Sequence, residues 1–114
     1  MTKELKLGRL KKRSEFLYVR DGKYRAIGGV VIQMRDHPTR ETGINVGFTA
    51  TKKMGNAVQR NRAKRRLRAC AAELLPQYGL AGHDYVFIAR NQTNDRVFAE
   101  LKNDVKKALL RLSE

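Results

Sequence analysis

Residues 52 to 69, KKMGNAVQRNRAKRRLRA, carry eight Lys or Arg in eighteen positions and no carboxylate. Cationic groups at that density suit one kind of chemistry, the gripping of phosphate. Solvated helices usually mix signs to gain i,i+4 pairs, yet no acid occurs between Lys52 and Glu73. The dipole at a helix N-terminus adds positive potential there, so an anion would relieve both charges. Groups suited to catalysis are sparse by comparison. The acids stand among charged neighbours without paired spacing, and Cys70 falls on an apolar helical stripe where it reads as a packing group. His37 lies in a loop beside Pro38, and His83 precedes a strand beside Asp84; they meet only if the fold brings them together. No Cys/His spacing suggests zinc. The expectation is a chain with no catalytic residue and no metal site of its own.

Composition points the same way. The chain has 114 residues and 25 Lys and Arg against 11 Asp and Glu, a net charge of +14. Such an excess repels itself in a compact fold, and a polyanionic partner offsets it. A hydrophobic fraction of 41% is too high for a disordered basic tail. One cysteine cannot form an internal disulfide, and no stretch is apolar enough for a signal sequence or a membrane span. A single domain in a reducing, cytoplasmic compartment is expected, with no membrane partner.

These residues need elements to hold them. Residues 1–13 read as a basic, mobile lead-in. Ser14 is placed to cap a short helix carrying Phe16, Leu17 and Val19, which Gly22 ends. Ala26 to Met34 reads as a strand, with a short companion around Tyr24. In GINVGFTAT, residues 43–51, Ile44, Val46, Phe48 and Ala50 alternate with Asn45, Gly47, Thr49 and Thr51, giving a core face and a polar, low face. The period becomes helical at Asn56, where Asn56 and Gln59 form a variant capping box, and Pro76 and Gly79 mark the end. DYVFIAR, residues 84–90, is apolar on both faces and reads as a central strand. A last helix from Asn94 or Asp95 carries the stripe Val97, Phe98, Leu101, Val105, Ala108, Leu109 and Leu112. The order helix, two or three strands, helix, strand, helix is that of a single-domain α+β sandwich.

On a helical wheel at about 100° per residue, Ala63, Cys70, Ala71 and Leu74 group around Leu67, with Leu75 at the margin. Asn61, Arg62, Arg65 and Arg68 fall on the far side or flank, and Arg60 and Lys64 extend the apolar stripe toward the N-terminus. The first two turns are basic nearly all round, which a helix buried along its length could not accept. The C-terminal half is therefore expected to anchor the helix while the N-terminal half stands proud. Hydroxyls and close backbone approach at Gly47, Thr49 and Thr51 suit a groove for RNA more than a recognition helix for duplex DNA. Phe16 reads equally as a stacking platform and as a core residue.

KKMGNAVQRNRAKRRLR, with Val46-Gly47 before it, LKKRSEF near the N-terminus and DYVFIAR before an amphipathic last helix, resembles the bacterial ribonuclease P protein family over nearly the whole chain. The resemblance implies a ribosomal protein S5 domain 2-like α/β sandwich with a left-handed βαβ crossover. General chain rules would have favoured the right-handed form. It further implies the accessory subunit of a ribonucleoprotein endonuclease that removes the 5′ leader of precursor tRNA, with magnesium-dependent chemistry carried by the RNA subunit, no cofactor on the protein and no protein partner required. By position, Lys53, Arg60, Asn61, Arg62, Lys64, Arg65, Arg66 and Arg68 would contact the catalytic RNA. Phe16, Arg20, Thr49, Thr51, Lys52 and Arg90 would line the leader cleft. Two departures stand out: Arg20 occupies a position where relatives commonly carry a second aromatic, and Val30 to Met34 lacks the aromatic often found there. Leader binding is accordingly expected to lean on charge. Competing classes are a ribosomal or other structural RNA-binding protein and a nucleoid-type DNA binder.

Overall fold

The computed structural model describes residues 6–114. Five strands form one mixed sheet in the order β1-β4-β5-β3-β2. They are β1 (Leu7–Arg9), β2 (Lys23–Ile27), β3 (Val30–Asp36), β4 (Ile44–Thr49) and β5 (His83–Ala89), and the helices are α1 (Arg13–Arg20), α2 (Ala57–Tyr78) and α3 (Phe98–Leu112). β5 is central as its two-faced apolar sequence requires. It pairs parallel with β4, Val46 opposite Tyr85, and antiparallel with β3, Ile32 opposite Phe87. Tyr85, Val86 and Phe87 are almost wholly buried. The main core lies between one sheet face and α2 with α3, whereas α1 closes the other face over Leu10, Val19 and Val86.

Several boundaries differ from expectation. The first five residues of the anticipated lead-in lie outside the described residues, but Leu7–Arg9 are an edge strand pairing parallel with Ile44–Val46. Three residues are too few for alternation to announce a strand. Two glycines divide the expected strand from Ala26 to Met34: Gly28 adopts φ +52°, and Ile27 pairs with Val30 across a tight hairpin. Ser14 is not the cap of α1, which starts after Lys12. There the Glu15 carboxylate accepts the backbone N–H groups of Lys12 at 2.7 Å and Lys11 at 2.9 Å. These bonds, Lys12's first, hold the Glu15 carboxyl below its ordinary pKa. The cap is therefore intact at neutral pH and lost only as acidification protonates Glu15.

The capping box of α2 is as the sequence indicates. Asn56 Oδ1 accepts the Gln59 N–H at 3.0 Å, and Gln59 Oε1 accepts the Asn56 N–H at 3.1 Å. Asn56→Ala is expected to destabilise the fold by about 1 kcal/mol, measurable by urea unfolding. Pro76 does not stop the helix but sits inside its last turn, and Gly79 follows Tyr78 as the cap. α3 starts later than expected, at Phe98, because Asp95 and Arg96 turn back onto the Gln92 carbonyl. Its stripe from Leu101 to Leu112 is buried, while Val97 and Phe98 remain exposed.

Candidate nucleic-acid interface

α2 presents two unlike faces. Ala63, Leu67, Cys70, Ala71, Leu74 and Leu75 are buried, Leu75 completely, so the wheel identified the packing face and understated only its margin. Asn61, Arg62, Arg65 and Arg68 are exposed, Arg60 and Lys64 half-buried, and Lys53 is exposed on a short 3-10 turn just before the helix. Among the described residues, no Lys or Arg of α2 forms a salt bridge. The charge is thus concentrated and uncompensated on a regular scaffold, an arrangement suited to phosphate.

Two side chains in this group are partly engaged by the protein. The Arg66 guanidinium turns toward α3, donating to the Arg96 carbonyl and lying 5.8 Å from the Phe98 ring centroid. Arg68 reaches over Phe48 at 5.7 Å. Nor does the N-terminal half of α2 stand entirely clear. Ala63 is fully buried, and Asn94 donates to the Gln59 carbonyl at 2.9 Å. The protruding portion is shorter than expected because the loop before α3 reaches back to it.

On the opposite sheet face, strand register aligns Gly47, Val86, Gln33 and Tyr24 in one row and Thr49, Ile88 and Val31 in the next. α1 lies on the first row. Phe16 packs so closely over Gly47 that a methyl there would overlap its ring. Beside it is an open groove of about 320 Å³ lined by Arg13, Phe16, Phe48 and Thr49. Phe16 is half-buried: its ring rests on the sheet over Gly47 and also contributes to the groove wall. Arg20, Thr51 and Lys52 are exposed, and Arg90 is half-buried with Nη1 donating to the Gly28 carbonyl at 3.3 Å.

Sequence reasoning missed Arg13 and Phe48. Arg13 was legible, since it lies one turn before Phe16 and so shares its side of the helix. Phe48 was assigned wholly to the core by alternation, and it does contact Phe87 at 5.5 Å between centroids. Its outer part is open because β1 covers only Ile44–Val46, leaving the end of β4 unflanked. A larger concavity near the chain's C-terminus mixes Asp21, Asp36 and Glu114 with Lys23 and Arg35, and so lacks a single-sign field.

The family model described as Ribonuclease P matches residues 5–113. The chain belongs to the ribonuclease P protein family. The ribonuclease P protein component of Caulobacter vibrioides is 50% identical over 109 residues, covering 96% of this chain and 73% of that one. That of Ruegeria pomeroyi is 47% identical over 105 residues, covering 90% and 84%. The solved ribonuclease P protein of Thermotoga maritima superposes with a TM-score of 0.72 at 26% identity, over 90% of this chain and 96% of that one. For the protein from Staphylococcus aureus the TM-score is 0.75 at 24% identity, over 93% and 94%. The ribonuclease P protein fold is therefore shared, five-stranded sheet and three helices together.

The two histidines, Asp84 and Cys70 each make contacts within the fold. β3–β5 pairing sets Asp36 opposite His83, so the two histidines do reach one end of the sheet. His37 Nδ1, however, accepts the N–H groups of Arg40 at 2.9 Å and Thr39 at 3.2 Å, and His83 Nδ1 lies 2.9 Å from the Ala81 carbonyl. Asp84 is paired with Arg40. Among the described residues no cluster of three or more His, Cys, Asp or Glu is placed to hold a metal ion. Burial pushes the Cys70 thiol up to about 11, leaving little thiolate at neutral pH. Alkylation of native Cys70 at pH 8 is expected to be at least a hundredfold slower than in urea, followed by mass spectrometry.

Proposed function

We propose that this chain is the protein component of ribonuclease P and assists endonucleolytic removal of the 5′ leader from precursor tRNA in the cytoplasm. α2 and the turn before it bind the catalytic RNA through Lys53, Arg60, Asn61, Arg62, Lys64, Arg65 and Arg68. Arg66 contributes charge at this surface while tethered to the Arg96 carbonyl. The groove beside α1 holds the single-stranded leader: Phe16 and Phe48 offer ring surface, Thr49 and Thr51 hydroxyls, and Arg13, Arg20, Lys52 and Arg90 charge. Magnesium serves the RNA-borne reaction, and the protein needs neither a cofactor nor a protein partner.

One observation carries this reading within the family. Among the described residues the Lys and Arg of α2 have no carboxylate partner, and a separate groove with aromatic and basic walls opens between α1 and the unflanked end of β4. Two surfaces allow two RNA ligands at once. Arg13 and Arg20, on either side of Phe16 along α1, supply charge where Arg20 departs from the family pattern.

The test is reconstitution. Adding the protein to the family's catalytic RNA at low magnesium should stimulate cleavage of precursor tRNA, and no stimulation would refute the reading. Duplex DNA bound as tightly as structured RNA would favour a nucleoid role instead. Phe16→Ala is expected to weaken holoenzyme binding of leader-bearing precursor about tenfold relative to mature tRNA, the equivalent of one lost base–aromatic stack. A fall in thermal stability with unchanged leader preference would return Phe16 to a packing role alone.

A further inference from the structure

The hairpin turn Gly28–Gly29, the loop between β5 and α3, and Asp104 of α3 form a buried network that neither proposed RNA contact explains. The ladder between β3 and β5 ends with Val30 opposite Ala89. Beyond that pair, the hydroxyl of fully buried Thr93 bridges the strands, donating to the Gly29 carbonyl at 2.5 Å and accepting the Arg90 N–H at 2.8 Å. Arg90 is thus tied to the turn twice, through its main chain by way of Thr93 and through its guanidinium to the Gly28 carbonyl.

The turn is itself clamped. Asp104, only 4% exposed, accepts the Gly29 N–H at 3.0 Å and both arms of the Arg96 fork, Nε at 3.0 Å and Nη2 at 2.9 Å. Gly28 cannot be exchanged for a larger residue without displacing this carboxylate, because a Cβ at φ +52° would run into it. A carboxylate on an apolar stripe is costly unless fully paired, and here its partners are a turn and a loop rather than solvent. The same loop supports the basic helix through Asn94 to the Gln59 carbonyl and through the Arg96 carbonyl to Arg66.

We propose that Thr93 and Asp104 are positioning residues that fix Arg90 for the leader, on a loop that also sets the first turns of the basic helix. One N–H of the Arg90 fork is held by Gly28 and the others remain available to phosphate. Binding therefore finds the side chain already ordered, which lowers the entropic cost of its contact. The inference rests on the leader-cleft reading above.

Thr93→Val preserves shape but removes the bridging hydroxyl, and Thr93→Ser retains it. Each variant would be reconstituted with the catalytic RNA. Dissociation constants for precursor tRNA with a 5′ leader and for mature tRNA would then be measured. Thr93→Val is expected to reduce leader discrimination about three- to fivefold, with RNA assembly within twofold of the unmodified protein and with Thr93→Ser restoring discrimination. Combined with Arg90→Ala, Thr93→Val should cause no further loss, since its effect runs through Arg90. If Thr93→Val does not fold, Arg96→Lys loosens the Asp104 clamp from its more exposed side and should reduce discrimination about twofold. Unchanged discrimination in Thr93→Val, or in Arg96→Lys should Thr93→Val not fold, would overturn the proposal, as would full additivity with Arg90→Ala. Absence of leader discrimination in the unmodified holoenzyme would instead refute the cleft reading on which the proposal rests.

Discussion

Replacing Arg62 and Arg65 together by Ala is expected to weaken assembly with the catalytic RNA about a hundredfold and to flatten its salt dependence. Both side chains are exposed and lack a salt-bridge partner among the described residues. Their loss should therefore leave the fold nearly unchanged, within about 0.5 kcal/mol as for other surface substitutions. A guanidinium–phosphate bond is charge-assisted; at about 1.5 kcal/mol each, two lost bonds give roughly two decades in affinity. Counterion release supplies an independent reading. With about six phosphate contacts the unmodified protein should give a log–log salt slope near −4 to −5, and removing two contacts should reduce its magnitude by about 1.5. Filter binding across a salt series measures both quantities. A hundredfold loss with an unchanged slope would mean that the arginines act by shape rather than by charge. Arg66→Ala should differ, weakening assembly and also lowering stability, because its guanidinium bonds the Arg96 carbonyl within the fold.

The sequence disclosed what repeated over several turns or several residue pairs. The packing face of α2, the capping box at Asn56 and Gln59, and the central position of β5 each rest on patterns long enough to exclude alternatives. It concealed what depends on tertiary partners. β1 exists because β4 offers Ile44–Val46 as a parallel template, not because Leu7–Arg9 prefer a strand. Asp104 is a further case, since nothing near it in sequence announces that Gly29 lies beside it. Of the candidate site, the basic helix was legible because charge density is a local property. The groove required α1 to be placed across the sheet, which brought Arg13 and Phe16 beside Phe48, and Arg66 turns toward α3 because the loop before that helix offers it the Arg96 carbonyl.

Gly47→Val should test that placement with the largest expected effect on the leader groove. A Cβ at Gly47 would overlap the Phe16 ring and come within 3.3 Å of Leu10 Cβ, so the added side chain cannot be accommodated while the Phe16 ring keeps its place. Overpacking of this kind costs about 1–3 kcal/mol. The strand preference of valine returns less than about 1 kcal/mol, so a fall in Tm of roughly 5–10 °C is expected. α1 is fixed on the sheet by buried Val19 against Val86, so the strain should move the Phe16 ring and distort the groove. Binding of leader-bearing precursor should weaken at least as much as in Phe16→Ala, about tenfold. Assembly with the catalytic RNA should hold within twofold, because α2 packs on the other face. The double variant Gly47→Val with Phe16→Ala separates the two roles of the aromatic. Valine then fills part of the space the ring vacated, so stability should recover toward that of the unmodified protein, a non-additive cycle between touching residues. Leader preference should not recover, because the methyl groups of valine replace the packing surface of the ring and not its π face. Recovery of both would mean that Phe16 serves the groove only by holding α1 in place.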